Sequence, residues 1–292
     1  MGISLSIYQS ITYYTYEYMH VYQSADNLPI GLKYLTFNYN FSRNIDNLPY
    51  TLISIKFFGE INNYKRSVFN KPIDNLPINL TDLIFDETSY FNHPIDKLPE
   101  SLKILTLGKH FNNPVDNLPS NIEHFSFGCN FNQSVNNLPI KLKILKFGYN
   151  FNNSVEVLPP NIEILTFGHE FNCSVNNLPI KLKILKFGSC FNQSVDNLPL
   201  SIKLISFGLY FDQPINNLPQ SINNIIFESS LSKSKEYQHN LDNLPIELEH
   251  LTIGIKYKKS INNLPPKLKI IRCGRNYPYI DIIKNKVKVK FV

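Results

Sequence analysis

The chain has 292 residues, 43% apolar and 18% charged, a composition that excludes a disordered polymer and allows a sizeable buried core. Its formal charge of +6 is mild and spread out and does not by itself make a nucleic-acid footprint, and no window holds the ~18 apolar residues of a membrane span. Cys129, Cys173, Cys190 and Cys273 fall at irregular spacings without a C-x-x-C pair, so free thiols in a reducing, intracellular and cytoplasmic setting are expected.

Residues 1–24 are Tyr-rich and do not follow the pattern of the rest; they are predicted as an N-terminal cap. They lack the basic region and apolar core of a secretory signal, and the opening MGISLS fits the loose pattern for myristoylation of Gly2. From residue 25 to 278 the chain repeats. Leu-Pro occurs twelve times, and from Pro99 to Pro219 the prolines are twenty residues apart without exception. A fixed period of this length marks a solenoid whose units bury their faces only against their neighbours. The fold class expected is a repeat solenoid with a single curved parallel β-sheet of about twelve short strands and little helix. Residues 279–292 are basic and end in NKVKVKFV, an alternation that predicts a C-terminal cap strand whose lysines discourage edge pairing.

With Leu142 as repeat position 1, apolar residues recur at positions 1, 4, 6, 10, 14 and 17: Leu142, Leu145, Phe147, Phe151, Val155 and Leu158. Leu145 and Phe147 alternate as in a strand with one buried face. Position 10 is aromatic in all twelve units, from Phe41 to Tyr277, and is read as a core spine. Position 7 is Gly in eight units, among them Gly108, Gly188 and Gly254, and is expected to supply positive φ at a tight exit from the strand. Phe58, Asp86 and Glu228 replace it in the three units with extra residues there, which puts all three insertions on one edge. Positions 15–18 read DNLP or NNLP in most units, predicting an Asx-turn and an extended return with no room for a long helix.

Three sets of residues are candidates for a role. Asn at position 11 (Asn92, Asn112, Asn132, Asn152, Asn172 and Asn192, with Asn70 before them) is read as a structural ladder satisfying backbone groups at a bend. Position 3, facing outward from the sheet, reads Ile104, His124, Ile144, Ile164, Ile184, Leu204, an apolar row beside Lys146 and Lys186 at position 5. Positions 8 and 9 vary most and form a rim with Tyr149, His169 and Tyr210. The rows of positions 3, 5, 8 and 9 are the expected partner-binding residues. His110 with Cys129 and His169 with Cys190 are cross-rung pairs, but two ligands fall short of the four of structural zinc. No catalytic residue, metal or cofactor is expected. A different reading, weak nucleic-acid binding, would use Lys56, Lys143, Lys146, Lys183, Lys186 and Arg272, diluted by Glu123, Glu163, Glu170 and Glu249.

The segment LKILKF resembles the strand of leucine-rich repeats, L-x-x-L-x-L, although those usually place Asn at position 9 and an aliphatic residue at 11, where this chain has Phe151 at 10 and Asn152 at 11. FNHPID, FNNPVD and FNQSVNNLP are similar to the FNIP repeat family of social amoebae and giant amoeba viruses, over about residues 25–278. The resemblance implies a leucine-rich-repeat-like solenoid that binds an unspecified partner protein. Several members carry an F-box, which implies a ubiquitin-ligase adaptor as an alternative. The residues before the first unit are too few for an F-box, so another chain would have to supply it.

Overall fold

The computed structural model describes residues 13–16, 25–26, 28–59, 65–229 and 236–292, the first four of these as backbone. Gly2 and most of the predicted N-terminal cap lie outside them, as do residues 60–64 and 230–235 of the two longer insertions. Two compact units divide the chain, residues 1–131 and 132–292.

The first unit holds β1 (Tyr13–Tyr16), β2 (Tyr34–Phe37), β3 (Ser54–Phe57), β4 (Asp82–Phe85), β5 (Ile104–Thr106) and β6 (His124–Ser126). The second holds β7 (Ile144–Lys146), β8 (Ile164–Thr166), β9 (Ile184–Lys186), β10 (Leu204–Phe207), β11 (Asn224–Phe227), β12 (His250–Thr252) and β13 (Ile270–Cys273). It ends with the four-residue helix α1 (Ile280–Ile283) and β14 (Lys288–Phe291). Within each unit the strands pair in chain order and are all parallel. Equivalent repeat positions face one another: Leu145, Leu165, Leu185 and Ile205 form one inward row. The expected leucine-rich-repeat-like solenoid with little helix is the fold found.

Two tight turns recur along the rungs. The position-10 amide donates to the position-7 carbonyl, as in Phe111 to Gly108 (3.3 Å), and the position-1 amide donates to the proline carbonyl, as in Leu142 to Pro139 (3.1 Å). The strand is only three or four residues long because these turns consume the rest of the period.

The core is an aromatic column. Phe69, Phe91, Phe111 and Phe131 in the first unit, and Phe151, Phe171 and Phe191 in the second, are fully buried. Where position 6 is also aromatic, the position-10 ring lies on it within the same rung, Phe171 on Phe167 at 3.7 Å and Phe191 on Phe187 at 3.6 Å; Leu107, Ile253 and Cys273 take that place in the other three rungs. Successive position-10 rings are 6.2 Å apart in the first unit (Phe91–Phe111) and 6.0 Å in the second (Phe171–Phe191). Paired strands are ~4.8 Å apart. The planes of successive rings stay within 6° of parallel in both pairs, so the rings repeat in the same orientation from rung to rung within each unit.

Tyr237, Tyr257 and Tyr277 continue the column in the second unit. A buried phenol needs a partner, and their hydroxyls donate to the carbonyls of Gln213 (3.0 Å), His239 (3.4 Å) and Lys259 (2.8 Å). Burial pushes the Tyr257 phenol up to about 12 and raises Tyr237 and Tyr277 as well.

The position-7 glycines serve a different purpose from the one expected. Among the described glycines only Gly31 has positive φ, at 103°. Gly128, Gly168, Gly188 and Gly208 are instead glycines of close approach: a Cβ on each would overlap the carbonyl of the glycine one rung earlier. Stacked backbones fill the space a side chain would need. Where Asp86 replaces glycine, its carboxylate accepts from the Thr88 amide (2.9 Å) and hydroxyl (2.8 Å) and from the Gly59 amide. That side chain does for the longer turn what close stacking does elsewhere.

Candidate partner-binding face and rim

Alternation along the strands turns position 4 into the core and position 3 away from it. In the first unit Ile104 and His124 pair across β5 and β6, both half-buried. In the second, Ile144, Ile164, Ile184 and Leu204 stand in register on β7 to β10. The sequence predicts an exposed stripe here, but all four are half-buried, because each is flanked at strand spacing by its equivalents on the neighbouring rungs. Lys146 and Lys186 on the same strands are exposed, while the equivalent Ser206 is buried. The row turns polar beyond Leu204, at Asn224 and His250.

The rim lies just past the strands. Tyr149 is 49% exposed, and its ring stacks on His169 with centroids 4.4 Å apart and planes within 11°. His169 Nε2 is 3.6 Å from Glu170 Oε1, and the Cys190 amide donates to the His169 carbonyl at 2.9 Å. Ligand atoms of His169, Glu170 and Cys190 all lie within 4.8 Å of one another. Burial raises the Cys190 thiol, and the Glu170 carboxylate adds to this. Tyr210 is half-buried on the same rim. In the first unit His110 stacks on Tyr90 at 4.5 Å, and Arg66 donates to the Tyr90 hydroxyl at 3.0 Å. Burial holds His110 below its ordinary 6.5, with Lys109 and Arg66 adding to the effect.

The position-11 asparagines form hydrogen bonds between rungs. The side-chain Oδ1 of one rung accepts the backbone amide of the next: Asn92 from Asn112 (2.9 Å), Asn132 from Asn152 (2.9 Å), Asn152 from Asn172 (2.9 Å), Asn172 from Asn192 (2.8 Å). Position 16 bonds back to position 15 of the preceding rung, as in Asn75 Nδ2 to Asp46 (3.1 Å) and Asn217 Nδ2 to Asp196 (3.0 Å). The DN of DNLP therefore joins neighbouring turns as well as shaping its own.

One surface was not anticipated from the sequence. The residue directly after each Leu-Pro stands at an exposed corner: Ile140 (56%), Pro160, Ile180 (75%) and Leu200 (81%) on successive rungs of the second unit. Ile30, Tyr50 and Ile78 do the same in the first. The available signal was position: an apolar residue at a corner, out of step with the six that point inward.

The FNIP Repeat family model matches residues 24–59, 91–130, 111–150 and 151–190, which are these rungs. The chain contains FNIP repeats. Repeat solenoids of this leucine-rich-repeat-like kind are typically interaction scaffolds and generally non-catalytic. No curated protein matches the FNIP-repeat chain. Among solved structures it is similar to CroV588, a circular leucine-rich-repeat protein, at 27% identity and TM-score 0.49; the match covers 91% of this chain and 57% of that one. It is also similar to a leucine-rich-repeat protein from Bacteroides ovatus (16% identity, TM-score 0.33, 91% of this chain and 77% of that one). YopM from Yersinia enterocolitica is a third (17% identity, TM-score 0.28, 85% and 75%). The FNIP-repeat chain thus spans just over half the length of CroV588. Among its described residues no helix is long and apolar enough to cross a membrane.

Proposed function

We propose that this FNIP-repeat chain binds a partner protein through the second unit's sheet face and the adjoining rim. The observation that carries the reading is the contrast between frame and rim. Positions 4, 6, 7 and 10 keep nearly the same residues from rung to rung in this unit, while Tyr149, His169 and Tyr210 differ on a rim the frame holds in place. Variable side chains on a rigid scaffold are where recognition resides. The half-exposed aliphatic row between the exposed Lys146 and Lys186 favours a partner segment that is apolar and carries carboxylates.

Replacing Ile144, Ile164 and Ile184 together by Asp tests this. These side chains point away from the core, so circular dichroism and the unfolding midpoint should stay near wild type. Affinity for a protein captured from the native cell should fall at least about tenfold. Unchanged affinity in a folded triple variant would rule out the sheet face. The corner triple of Ile140, Ile180 and Leu200 to Ser would then locate the surface.

A further inference from the structure

We propose that His169, Glu170 and Cys190 form a binding site for a divalent transition-metal ion, zinc by ligand type. The three come from two adjacent rungs of the second unit. His169 and Glu170 are consecutive in one rim turn, and Cys190 occupies the position of Glu170 one rung later. The bond from the Cys190 amide to the His169 carbonyl, at 2.9 Å, fixes the two turns against each other.

The geometry fits a metal. Zinc holds nitrogen, oxygen and sulfur at ~2.0–2.3 Å, so tetrahedral ligand atoms stand ~3.3–3.7 Å apart. His169 Nε2 and Glu170 Oε1 are already 3.6 Å apart, and every pair in the trio is within 4.8 Å. Side-chain movements of about 1 Å close the set around an ion. One imidazole, one carboxylate and one thiolate select a metal of borderline softness over calcium or magnesium, which prefer all-oxygen shells. The Tyr149 ring, stacked at 4.4 Å, holds the imidazole plane from outside the trio. Orienting partners of this kind are a regular part of metal sites.

A nucleophilic thiol is the competing use of the same residues. It needs a line, with thiol and carboxylate on opposite nitrogens of the imidazole. These three ligand atoms instead form a closed triangle. Binding converts the Cys190 thiol to a thiolate and releases its proton to solvent. Three protein ligands leave a fourth position open on the rim, for water or for a side chain of a bound protein.

The test is titration of the full-length chain with Co²⁺, an optical stand-in for zinc. Cobalt bound by Cys190 produces a thiolate-to-metal charge-transfer band in the near ultraviolet. A band saturating at one Co²⁺ per chain and displaced by Zn²⁺ is expected. It should be absent in Cys190→Ser, with affinity at least ~10-fold weaker in His169→Ala and in Glu170→Gln. Cys173→Ser, the control for a neighbouring rung, should keep the band. No band at stoichiometric Co²⁺, or the same band in Cys190→Ser, would overturn the proposal. The site is read by absorbance alone, so its outcome is independent of partner binding.

Discussion

Glycine at position 7 is the residue whose role changes most between sequence and structure. Gly188 has no left-handed φ, yet it has no room for a side chain, because the place of its Cβ is taken by the carbonyl of Gly168. Gly254 occupies the same repeat position beside the insertion at 228–236, and there, among the described residues, a Cβ would meet only the Ser229 Cβ, at 3.8 Å. The two should therefore respond in opposite directions to the same substitution. Gly188→Ala should destabilise by about 3 kcal/mol, since backbone rather than a flexible side chain must move. Gly254→Ala should be neutral or stabilising by up to ~1 kcal/mol, through the lower entropy of the unfolded chain. Urea unfolding of both variants distinguishes these outcomes. Equal effects would mean that glycine is kept for a reason other than the closeness of the rungs.

The element that joins one rung to the next outside the sheet is the position-11 ladder. Asn172 Oδ1 accepts both the Asn192 amide (2.8 Å) and Gln193 Nε2 (3.1 Å). Asn172→Ala removes the acceptor from both and should cost about 1 kcal/mol. Asn172→Asp keeps that acceptor and should cost less than half as much. Asp212 already does this work at position 11, accepting the Gln238 amide at 2.8 Å. Chemical denaturation of the pair, with wild type alongside, provides the comparison. An Asp variant as damaged as the Ala variant would shift the ladder's importance to the donor amide.

At this same scale much of the rung was legible. The period, the strand at positions 4–6 and the buried ring at position 10 all follow from apolar spacing, because each inward side chain leaves its mark in the sequence. What bonds one rung to the next leaves a weaker mark. Asn75 reaches back to Asp46 across 29 residues, a distance set by the insertion between them and not by any local pattern. The corner column was missed for a related reason. Ile140 and Ile180 look like core residues by type, and only the closed turn from Pro139 to Leu142 shows that they point outward. Of the rim trio, the cross-rung pair of His169 and Cys190 could be read from the period, whereas Glu170 joined it only once the turn was in place.

Across the whole chain the net charge is +6, and several of its lysines are paired with carboxylates of the neighbouring rung. Lys183 pairs with Glu163 at 2.7 Å, Lys269 with Glu249 at 2.7 Å and Lys267 with Glu247 at 2.6 Å, each bridging consecutive rungs. Exposed pairs of this kind add little stability, but they neutralise part of the lysine row that nucleic-acid binding would need. Fluorescence anisotropy with duplex DNA should show weak binding that disappears by ~0.15 M salt, with a log–log slope no steeper than about −2. A slope near −5 with tight binding at that ionic strength would restore the nucleic-acid reading.

The glycine column also bears on how such a chain changes over generations. Within the second unit Gly168, Gly188 and Gly208 each lie against the glycine one rung earlier, so a twenty-residue segment copied whole would seat on its neighbours without a misfit. A single altered residue in that column has no such compatibility. The architecture therefore favours growth by duplication over revision by point change, and leaves the corners and the rim as the places where novelty is admitted.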